Sequence, residues 1–324
     1  MLLMIVGAAV LSSGCIGPNI RLFADHTFPL REFVLEGRER GKVLVISVRG
    51  VISDAPRRGM MRPKPSMVQE IVSQLRRAEK DREIKAVILK IDSPGGTTTA
   101  SDVLYKEIMD FKKKTGAKVV TSMMGVAASG GYYIALPSDK IMAHPTTITG
   151  SLGVIFLRPK VTGLMDKIGV KVEINKSGEN KDMGSPFRRP TSDESEIFQG
   201  LTEEFAGRFR NLLLTHRKLE KKTLDKVSTA RVYHAKEALE LGLIDEIGYL
   251  SDALSRAKEI AGLSKDAKVV VYRRTTYPDD NIYNSSTNRF EGAGNPIIDL
   301  GILNPLTSLS TGFYYMWLPA VDGE

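Results

Sequence analysis

A single serine stands between small residues at the end of an apolar stretch of this 324-residue chain. Residues 125–133 read G-V-A-A-S-G-G-Y-Y, so that Ser129 is followed by two glycines. Small neighbours let the backbone turn sharply and let a substrate carbonyl approach the hydroxyl. The next residue, Gly130, exposes a backbone N–H of the kind that an oxyanion hole requires. Ser129 is therefore a candidate nucleophile.

A serine hydroxyl needs a base to act as a nucleophile. The segment 176–182, K-S-G-E-N-K-D, offers Lys181 as that base, and we expect Asp182 beside it to be structural. A free lysine titrates at ~10.4, and burial disfavours its ammonium form, so a lysine base must be desolvated by the fold or by a neighbouring subunit. The alternatives are a structural serine in a Gly-rich turn and a solvated loop lysine.

Other catalytic chemistry has little support in the sequence. The four histidines, at positions 26, 144, 216 and 234, fall outside any motif that would place one beside the serine, as a classical triad requires. No Cys/His cluster suggests a metal, and no Gly-rich phosphate loop of the required form occurs. We therefore expect neither a metal nor another cofactor.

The composition describes a globular chain with a basic surface. Hydrophobic residues make up 42% and charged residues 26%, enough to form a core. The net charge of +8 would favour an anionic membrane surface or a nucleic acid. The basic residues are scattered and form no aromatic-interleaved stripe, which favours a solvated surface over nucleic-acid binding.

Strands and helices are expected to alternate around the candidate serine. Residues 42–48 are rich in β-branched residues and predict a buried strand, and Ser66 predicts a helix N-cap with Gln69 three residues later. Further strands are predicted at 86–91, 118–123, 140–143 and 268–272, and further helices at 100–114, 192–218, 235–241 and 251–261. This alternation predicts an α/β fold with a mostly parallel sheet.

The N-terminus has the pattern of an export signal. Residues 1–11 form an apolar run, shorter than the ~20 residues of a membrane span, and small residues then precede Cys15, the chain's one cysteine. This pattern resembles a bacterial lipoprotein signal with Cys15 lipidated; the alternative is an ordinary cleaved signal with a chance cysteine. Either predicts an exported protein. We expect a signal segment at 1–15 and a tether at 16–41.

The C-terminal part differs in character from the rest of the chain. We expect the main domain at 42–272 and an extension at 273–324. The extension begins with a polar linker and continues as a broken apolar stretch, 296–319, which is too interrupted for a membrane span. Packing on a neighbouring surface and contact with a membrane surface are the two interpretations, and the first is slightly favoured.

Four motifs together resemble one family. These are I-D-S-P-G-G at 91–96, A-A-S-G-G-Y-Y at 127–133, T-G-S-L-G-V at 149–154 and K-S-G-x-x-K-D at 176–182. In order and spacing they are similar to the half-length bacterial form of the signal peptide peptidase A (SppA) family of serine peptidases. The resemblance implies a ClpP/crotonase-like spiral of ββα units.

The same resemblance assigns roles to particular residues. It implies that Ser129 is the nucleophile, that Lys181 is the general base and that Ser151 orients the lysine. It also implies that Gly96 and Gly130 supply the oxyanion-hole N–H groups. In half-length members the serine and the lysine of one site come from adjacent subunits, which implies a homo-oligomer.

The expected protein is an exported, membrane-associated serine endopeptidase that cleaves hydrophobic peptides such as remnant signal peptides. Two other functions remain open at this point. One is a crotonase-like acyl-CoA enzyme, which would hold a thioester enolate with backbone N–H groups and would not need Lys181. The other is a catalytically idle scaffold of the same fold.

Overall fold

A twisted sheet of mostly parallel strands forms the centre of the computed structural model, which describes residues 28–56, 64–277, 280–284 and 311–320. Its strands are β1 (Arg31–Glu36), β2 (Glu39–Arg49), β3 (Ile84–Ser93), β5 (Lys118–Ala128), β6 (Lys140–Ala143), β7 (Ile148–Gly150), β9 (Val232–His234), β10 (Glu246–Ile247) and β11 (Ala267–Arg273). A smaller sheet contains β4 (Gly95–Thr97), β8 (Ile155–Leu157) and β12 (Gly312–Met316).

The strand order of the large sheet is β1-β11-β2-β3-β5-β6-β10, with β7 beside the end of β5 and β9 beside β7. Strands β11, β2, β3, β5, β6 and β10 run parallel to one another, and β1 runs antiparallel to β11 at one edge. The predicted α/β fold with a mostly parallel sheet is confirmed.

Eight α-helices lie in the described ranges. They are α1 (Met67–Ala78), α2 (Thr98–Thr115), α3 (Gly130–Tyr133), α4 (Thr162–Ile168), α5 (Ser192–His216), α6 (Lys221–Val227), α7 (Ala235–Glu240) and α8 (Leu250–Ile260). The predicted N-cap is present, since the Ser66 hydroxyl accepts a hydrogen bond from the Gln69 N–H at 3.1 Å. None of the helices in the described ranges is long and apolar enough to cross a bilayer.

The core lies on both faces of the sheet. Along β2 the fully buried residues alternate between two clusters: Leu44 and Ile46 pack with α1 and α2, whereas Val43 and Val45 pack with α8. Strands covered on both faces read as continuous apolar runs, which explains the β-branched pattern of 42–48.

The stretch expected to be a tether at 16–41 contains a strand. Arg31–Glu36 pairs antiparallel with β11, more than two hundred residues later in the chain. The strand has exposed charges at its two ends, Arg31 and Glu36, and packs Phe33 and Leu35 on one face. This pattern suits an edge strand. The strand owes its order to this distant partner, so the local sequence gave little sign of it.

The C-terminal extension returns to the main domain. Strand β12 lies between β4 and β8, antiparallel to both, and Tyr314, Tyr315 and Met316 are buried there. For these residues the packing interpretation is therefore correct. The candidate lipidation site Cys15 and residues 285–310 lie outside the described part of the chain.

Candidate active site

Three motif segments meet at the carboxyl ends of neighbouring parallel strands. In the register of the sheet, Ser93 of β3 is the partner of Ala127 of β5, and Ala128 of β5 is the partner of Gly150 of β7. The turn after β3, Ser129 after β5 and Ser151 after β7 are therefore side by side. Loops at the carboxyl ends of parallel strands are the usual place for a site in an α/β sheet.

The backbone of Ser129 is held in a conformation that non-glycine residues rarely adopt. Its φ is 53° and its ψ is −113°. The Ser129 N–H donates to the carbonyl of Gly150 at 2.7 Å, and the Ser129 carbonyl accepts from the N–H of Tyr133 at 2.8 Å. Strain of this kind costs about 1–3 kcal/mol and persists only where the surroundings over-determine it, as at catalytic nucleophiles.

The Ser129 side chain is completely buried in the single chain. Within the described ranges its hydroxyl has one long hydrogen bond, 3.5 Å from Oγ to the carbonyl oxygen of Gly153. Gly153 belongs to the T-G-S-L-G-V motif, so this contact joins two of the four motifs. A serine hydroxyl held by one weak bond is free to accept a new partner.

The I-D-S-P-G-G motif shapes the turn beside the serine. Asp92 Oδ1 accepts from the N–H of Val126 at 3.0 Å, where the pairing of β3 with β5 is irregular. Ser93 Oγ accepts from the N–H of Gly95 at 3.1 Å and donates to the carbonyl of Gly50 at 2.7 Å. These polar residues are therefore structural, and they fix the path of the two glycines.

The two candidate oxyanion donors lie close together. A Cβ placed on Gly130 would be 3.0 Å from the amide nitrogen of Gly96 and 2.5 Å from the hydroxyl of Ser101. A Cβ on Gly96 itself would be 1.8 Å from the carbonyl oxygen of Ile52. Both positions therefore require glycine, and the backbone amides converge next to the serine turn, as an oxyanion hole requires.

Ser151 occupies a turn that resembles the one at Ser129. Its φ is also 53°, it is nearly buried, and its N–H donates to the carbonyl of Arg231 at 2.8 Å. The structure thus brings together Ser129, Ser151, Gly96 and Gly130 from three separate motifs.

Lys181 lies elsewhere in the single chain. It is exposed on the 3₁₀ turn Glu179–Asp182, whereas Ser129 is buried, and no hydrogen bond joins the two side chains among the described residues. The desolvation expected for a lysine base is absent at this position in one isolated chain.

A network of charges holds the turn that carries Lys181. Asp182 accepts hydrogen bonds from Lys176 at 2.9 Å and from Arg188 at 2.7 and 2.8 Å. Arg188 also donates to Glu194, a buried residue in the first turn of α5. The hydrogen bonds from Arg188 and Lys176 hold the pKa of the Asp182 carboxyl well below its usual range. The first lysine and the final aspartate of K-S-G-x-x-K-D therefore have a structural role.

Two of the three histidines in the described ranges have hydrogen-bond partners away from the serine. His144 is hydrogen-bonded to the Thr146 hydroxyl at 2.8 Å, and His216 to the Tyr105 hydroxyl at 2.8 Å. Among the described residues, no group of three or more His, Cys, Asp or Glu side chains is placed to hold a metal ion.

Two features of the site were not predicted. The first is an aromatic and polar cluster behind the serine turn, in which the Tyr133 hydroxyl donates to Asp102 at 2.6 Å and Arg208 donates to the same carboxylate at 2.6 Å. The second is the pairing of β12 with β4, next to Gly96. The two tyrosines of A-A-S-G-G-Y-Y were the sequence signal for the aromatic cluster. The apolar residues near 313–317 were the signal for the strand that pairs with β4.

A buried serine in a strained turn, beside two converging backbone amides on an α/β sheet, is the arrangement of a serine hydrolase. Comparison with known proteins agrees. The model of peptidase family S49 matches residues 111–264, and the Clp protease model matches residues 61–149.

Curated relatives lead to the same family. A candidate signal peptide peptidase SppA of Enterococcus faecium is 36% identical over 256 residues, covering 79% of this chain and 74% of the relative. Protease 4 of Haemophilus influenzae is 31% identical over 297 residues, covering 90% of this chain and 47% of the relative. The chloroplastic serine protease SPPA of Arabidopsis thaliana is 32% identical over 247 residues, covering 74% of this chain and 36% of the relative. The chain thus spans about half the length of Protease 4.

The chain belongs to the SppA family of S49 peptidases and is a serine-type peptidase with a ClpP/crotonase-like α/β fold. The resemblance inferred from the four motifs is confirmed. The acyl-CoA alternative is set aside, because the relatives that cover most of the chain are peptidases.

Proposed function

We propose that this peptidase is an endopeptidase that uses Ser129 and Lys181 as a catalytic dyad and cleaves hydrophobic peptides, such as remnant signal peptides, at a membrane. The observation that carries the proposal is the strained, buried Ser129 beside the amides of Gly96 and Gly130. A hydroxyl there is adjacent to donors that would stabilise a tetrahedral oxyanion.

The chemistry of the dyad follows from these positions. Ser129 Oγ attacks the carbonyl carbon of the scissile peptide bond while its proton passes to the neutral Nζ of Lys181. The amide N–H groups of Gly96 and Gly130 hold the resulting oxyanion. The C–N bond then breaks, and the lysine returns the proton to the leaving amine. Water then attacks the acyl carbonyl while the lysine takes one of its protons. The ester C–O bond breaks, and the lysine returns that proton to Ser129 Oγ.

The lysine of each site would come from a second copy of the chain. Lys181 is exposed in one chain, and the segment around it presents apolar side chains to solvent. Those exposed by 44% to 62% are Leu164, Ile168, Val170, Val172, Ile174 and Phe187. Apolar surface of this extent favours a protein partner. A neighbouring subunit that covered it would also remove Lys181 from water, which a neutral lysine requires. Ser151, beside Ser129, would then orient the incoming amine.

The membrane part of the proposal rests on the N-terminal sequence. The apolar run 1–11 followed by Cys15 supports export and a lipid anchor, and the net charge of +8 supports attraction to an anionic surface. A peptidase anchored in this way would meet hydrophobic peptides that stay in the bilayer after export.

Labelling with a serine-directed fluorophosphonate tests the dyad on the full chain. We expect Ser129→Ala to abolish labelling and cleavage of a hydrophobic signal peptide. Lys181→Ala should lower both by about 10²–10⁴-fold, the usual contribution of a general base. Lys171→Ala, another exposed lysine of the same segment, is the matched control and should behave as the wild type. An oligomeric wild type that neither labels nor cleaves would favour the idle scaffold.

Mixing the two inactive variants tests the shared site. Oligomers assembled from Ser129→Ala and Lys181→Ala chains together contain interfaces with one intact serine and one intact lysine. We expect cleavage to return on co-assembly. If serine and lysine belonged to the same chain, every mixed site would lack one of them and activity would stay absent.

A further inference from the structure

Two short elements carry the two candidate oxyanion donors. Gly96 belongs to β4, which leads directly into α2, and Gly130 is the first residue of α3. A Cβ placed on Gly130 would be 3.0 Å from the amide nitrogen of Gly96, so the two elements meet at the donors themselves. Such donors are effective only when they are held at the position in which the oxyanion forms. The fold must therefore fix α3 relative to the start of α2.

Helix α3 is too short to be stable without tertiary contacts. It spans Gly130–Tyr133, and two of its four residues are glycine. An isolated helical turn is unstable, and glycine weakens a helix further. The side chain of Tyr133 is completely buried, and its N–H donates to the Ser129 carbonyl at 2.8 Å. The position of Tyr133 thus sets the backbone on which Ser129 and Gly130 lie.

One side-chain hydrogen bond joins α3 to α2. The Tyr133 hydroxyl donates to Asp102 Oδ1 at 2.6 Å, and Asp102 lies near the beginning of α2. A hydrogen bond to a carboxylate is shorter and stronger than one between neutral groups. Burial and the bond to Asp102 raise the pKa of the Tyr133 hydroxyl well above its usual range, so it remains a donor at neutral pH. The element that carries Gly130 is therefore bonded to the helix that continues from Gly96.

Arg208 of α5 holds the same carboxylate. It donates to Asp102 Oδ1 from Nε at 3.0 Å and from Nη2 at 2.6 Å, so the tyrosine and the arginine share one oxygen. In one chain 35% of the Asp102 side chain is exposed, and water can compete for it. The guanidinium keeps Oδ1 directed at the buried hydroxyl. The three side chains thus form one chain of hydrogen bonds from the surface of α5 to the serine turn.

We propose that Tyr133, Asp102 and Arg208 are positioning residues of the peptidase, which hold the amides of Gly96 and Gly130 at the separation that binds the oxyanion. They act through the backbone of α2 and α3 and do not touch the substrate. This inference rests on the proposed function, because it concerns the oxyanion hole of that site. Loss of the chain of hydrogen bonds would let α3 shift relative to α2, and a displacement of about 1 Å can lower a rate by about 10²-fold.

Tyr133→Phe tests the proposal with the smallest change. The variant keeps the ring and its contacts with Tyr105 and Phe209, at 5.6 and 4.9 Å between centroids, and loses only the hydroxyl. For cleavage of a hydrophobic signal peptide by the full chain, we expect kcat to fall by about 10- to 100-fold with KM nearly unchanged.

Tyr105→Phe is the matched control. It removes a hydroxyl that is hydrogen-bonded to His216 in the same group of rings, and it should keep the wild-type kcat. An unchanged kcat in Tyr133→Phe would overturn the proposal. An equal fall in Tyr105→Phe would overturn it as well, because the effect would then come from the packing of the rings.

A peptide aldehyde probes the oxyanion hole directly. The Ser129 O–H adds across the C=O bond of the aldehyde, and the hemiacetal oxygen lies where the oxyanion of a substrate would form. The corresponding peptide alcohol cannot be attacked and measures ground-state binding. We expect Tyr133→Phe and Asp102→Ala to weaken inhibition by the aldehyde by the factor that they lower kcat/KM, and to leave inhibition by the alcohol unchanged. Equal weakening of both inhibitors would indicate a general structural disturbance and would contradict the positioning role.

A double-mutant cycle tests whether the three residues act as one unit. Tyr133→Phe and Asp102→Ala break the same hydrogen bond, so the double variant should be no slower than the slower single variant. Arg208→Ala should lower kcat by about 3- to 10-fold in the wild type and should have no effect in Tyr133→Phe. Arg208→Lys should restore part of the loss, and Arg210→Ala on the same helix is the control that should behave as the wild type. Independent, multiplying effects would overturn the single unit.

Fluorophosphonate labelling separates this inference from the proposed function. If Ser129 of the wild type is labelled, and the variants cleave the peptide and bind the aldehyde as the wild type does, the inference fails and the dyad stands. If Ser129 of the wild type is neither labelled nor inhibited by the aldehyde, the proposed function fails, and this inference fails with it.

Discussion

Ser129 and Ser151 leave two adjacent parallel strands with the same positive φ, 53°. The residues that precede them, Ala128 and Gly150, are partners in the sheet, and the Ser129 N–H donates to the Gly150 carbonyl at 2.7 Å. The turn of the candidate nucleophile and the turn of Ser151, the candidate lysine-orienting residue, are therefore joined directly through the sheet. Each strained residue costs about 1–3 kcal/mol, which the surrounding sheet has to offset.

The variant Ser151→Gly tests the role of the Ser151 hydroxyl independently of the backbone strain at its positive φ. Glycine adopts a positive φ at no steric cost, so Ser151→Gly should keep or raise the free energy of unfolding. Loss of the hydroxyl would leave the lysine amine poorly oriented, and we expect kcat to fall by about 10²-fold with little change in KM. The pH–rate profile should change as well, since the hydroxyl would contact the base. Urea unfolding and peptide kinetics measure these effects.

The matched control is Ala230→Gly, which relieves another positive φ, 58°, without removing a hydroxyl. It should gain stability and keep full activity. Wild-type kcat in Ser151→Gly would exclude an orienting role for this serine.

Gly95 should tolerate no side chain. Its φ is +105°, and a Cβ would lie 2.0 Å from the carbonyl oxygen of Tyr315, a backbone atom that can move only if β12 moves. We expect Gly95→Ala to lower the free energy of unfolding by about 1–3 kcal/mol. Gly163→Ala is the control, because this helical glycine has open space around it and alanine should add up to about 1 kcal/mol. Chemical denaturation of the two variants tests the contrast.

Asp182 should support catalysis through the turn that carries Lys181. Its carboxylate receives the hydrogen bonds of Lys176 and Arg188 that hold the turn carrying Lys181. Asp182→Asn keeps the shape and removes the charge, so the turn should loosen and peptide cleavage should fall by about 10- to 100-fold. Asp193→Asn, in the first turn of α5, is the control and should retain activity.

The ion pair of Asp245 and Arg217 should make the free energy of unfolding depend on pH in the acidic range. Burial raises the pKa of Asp245, but the hydrogen bonds from Arg217 and from the Ile141 N–H outweigh burial and leave the pKa below its ordinary value of 3.8. A carboxyl with a lowered folded-state pKa stabilises the fold above the unfolded-state pKa, and this stabilisation is lost as the pH falls through the folded-state value.

Asp245→Asn should therefore lower the free energy of unfolding by about 1.5–3 kcal/mol at pH 7, the range for hydrogen bonds to a charged group. The difference from wild type should shrink as the pH falls below the ordinary value of 3.8. Asp110→Asn, which breaks an exposed pair with Lys106, should show no such difference. Urea unfolding at a series of pH values measures both, and a constant gap down to the lowest pH would contradict the assignment.

Local sequence patterns were sufficient to predict the strands, helix starts and turns that depend on neighbouring residues. β-branched runs predicted the strands around Val43 and Ile88, the capping residue Ser66 marked a helix start, and the small residues around Ser129 indicated a turn with an exposed amide. Such features depend on neighbours within a few positions, so they can be read without the fold. The four motifs together were enough to identify the family.

Tertiary structure decided the features that join distant parts of the chain. The edge strand Arg31–Glu36 exists because β11 supplies its hydrogen-bonding partners, and β12 is a strand because β4 and β8 accept it between them. Only the fold shows that Lys181 is exposed while Ser129 is buried, and that Asp182 is held by Arg188. Pairing and burial across such separations are set by the packing of the whole domain, and local sequence carries little information about them.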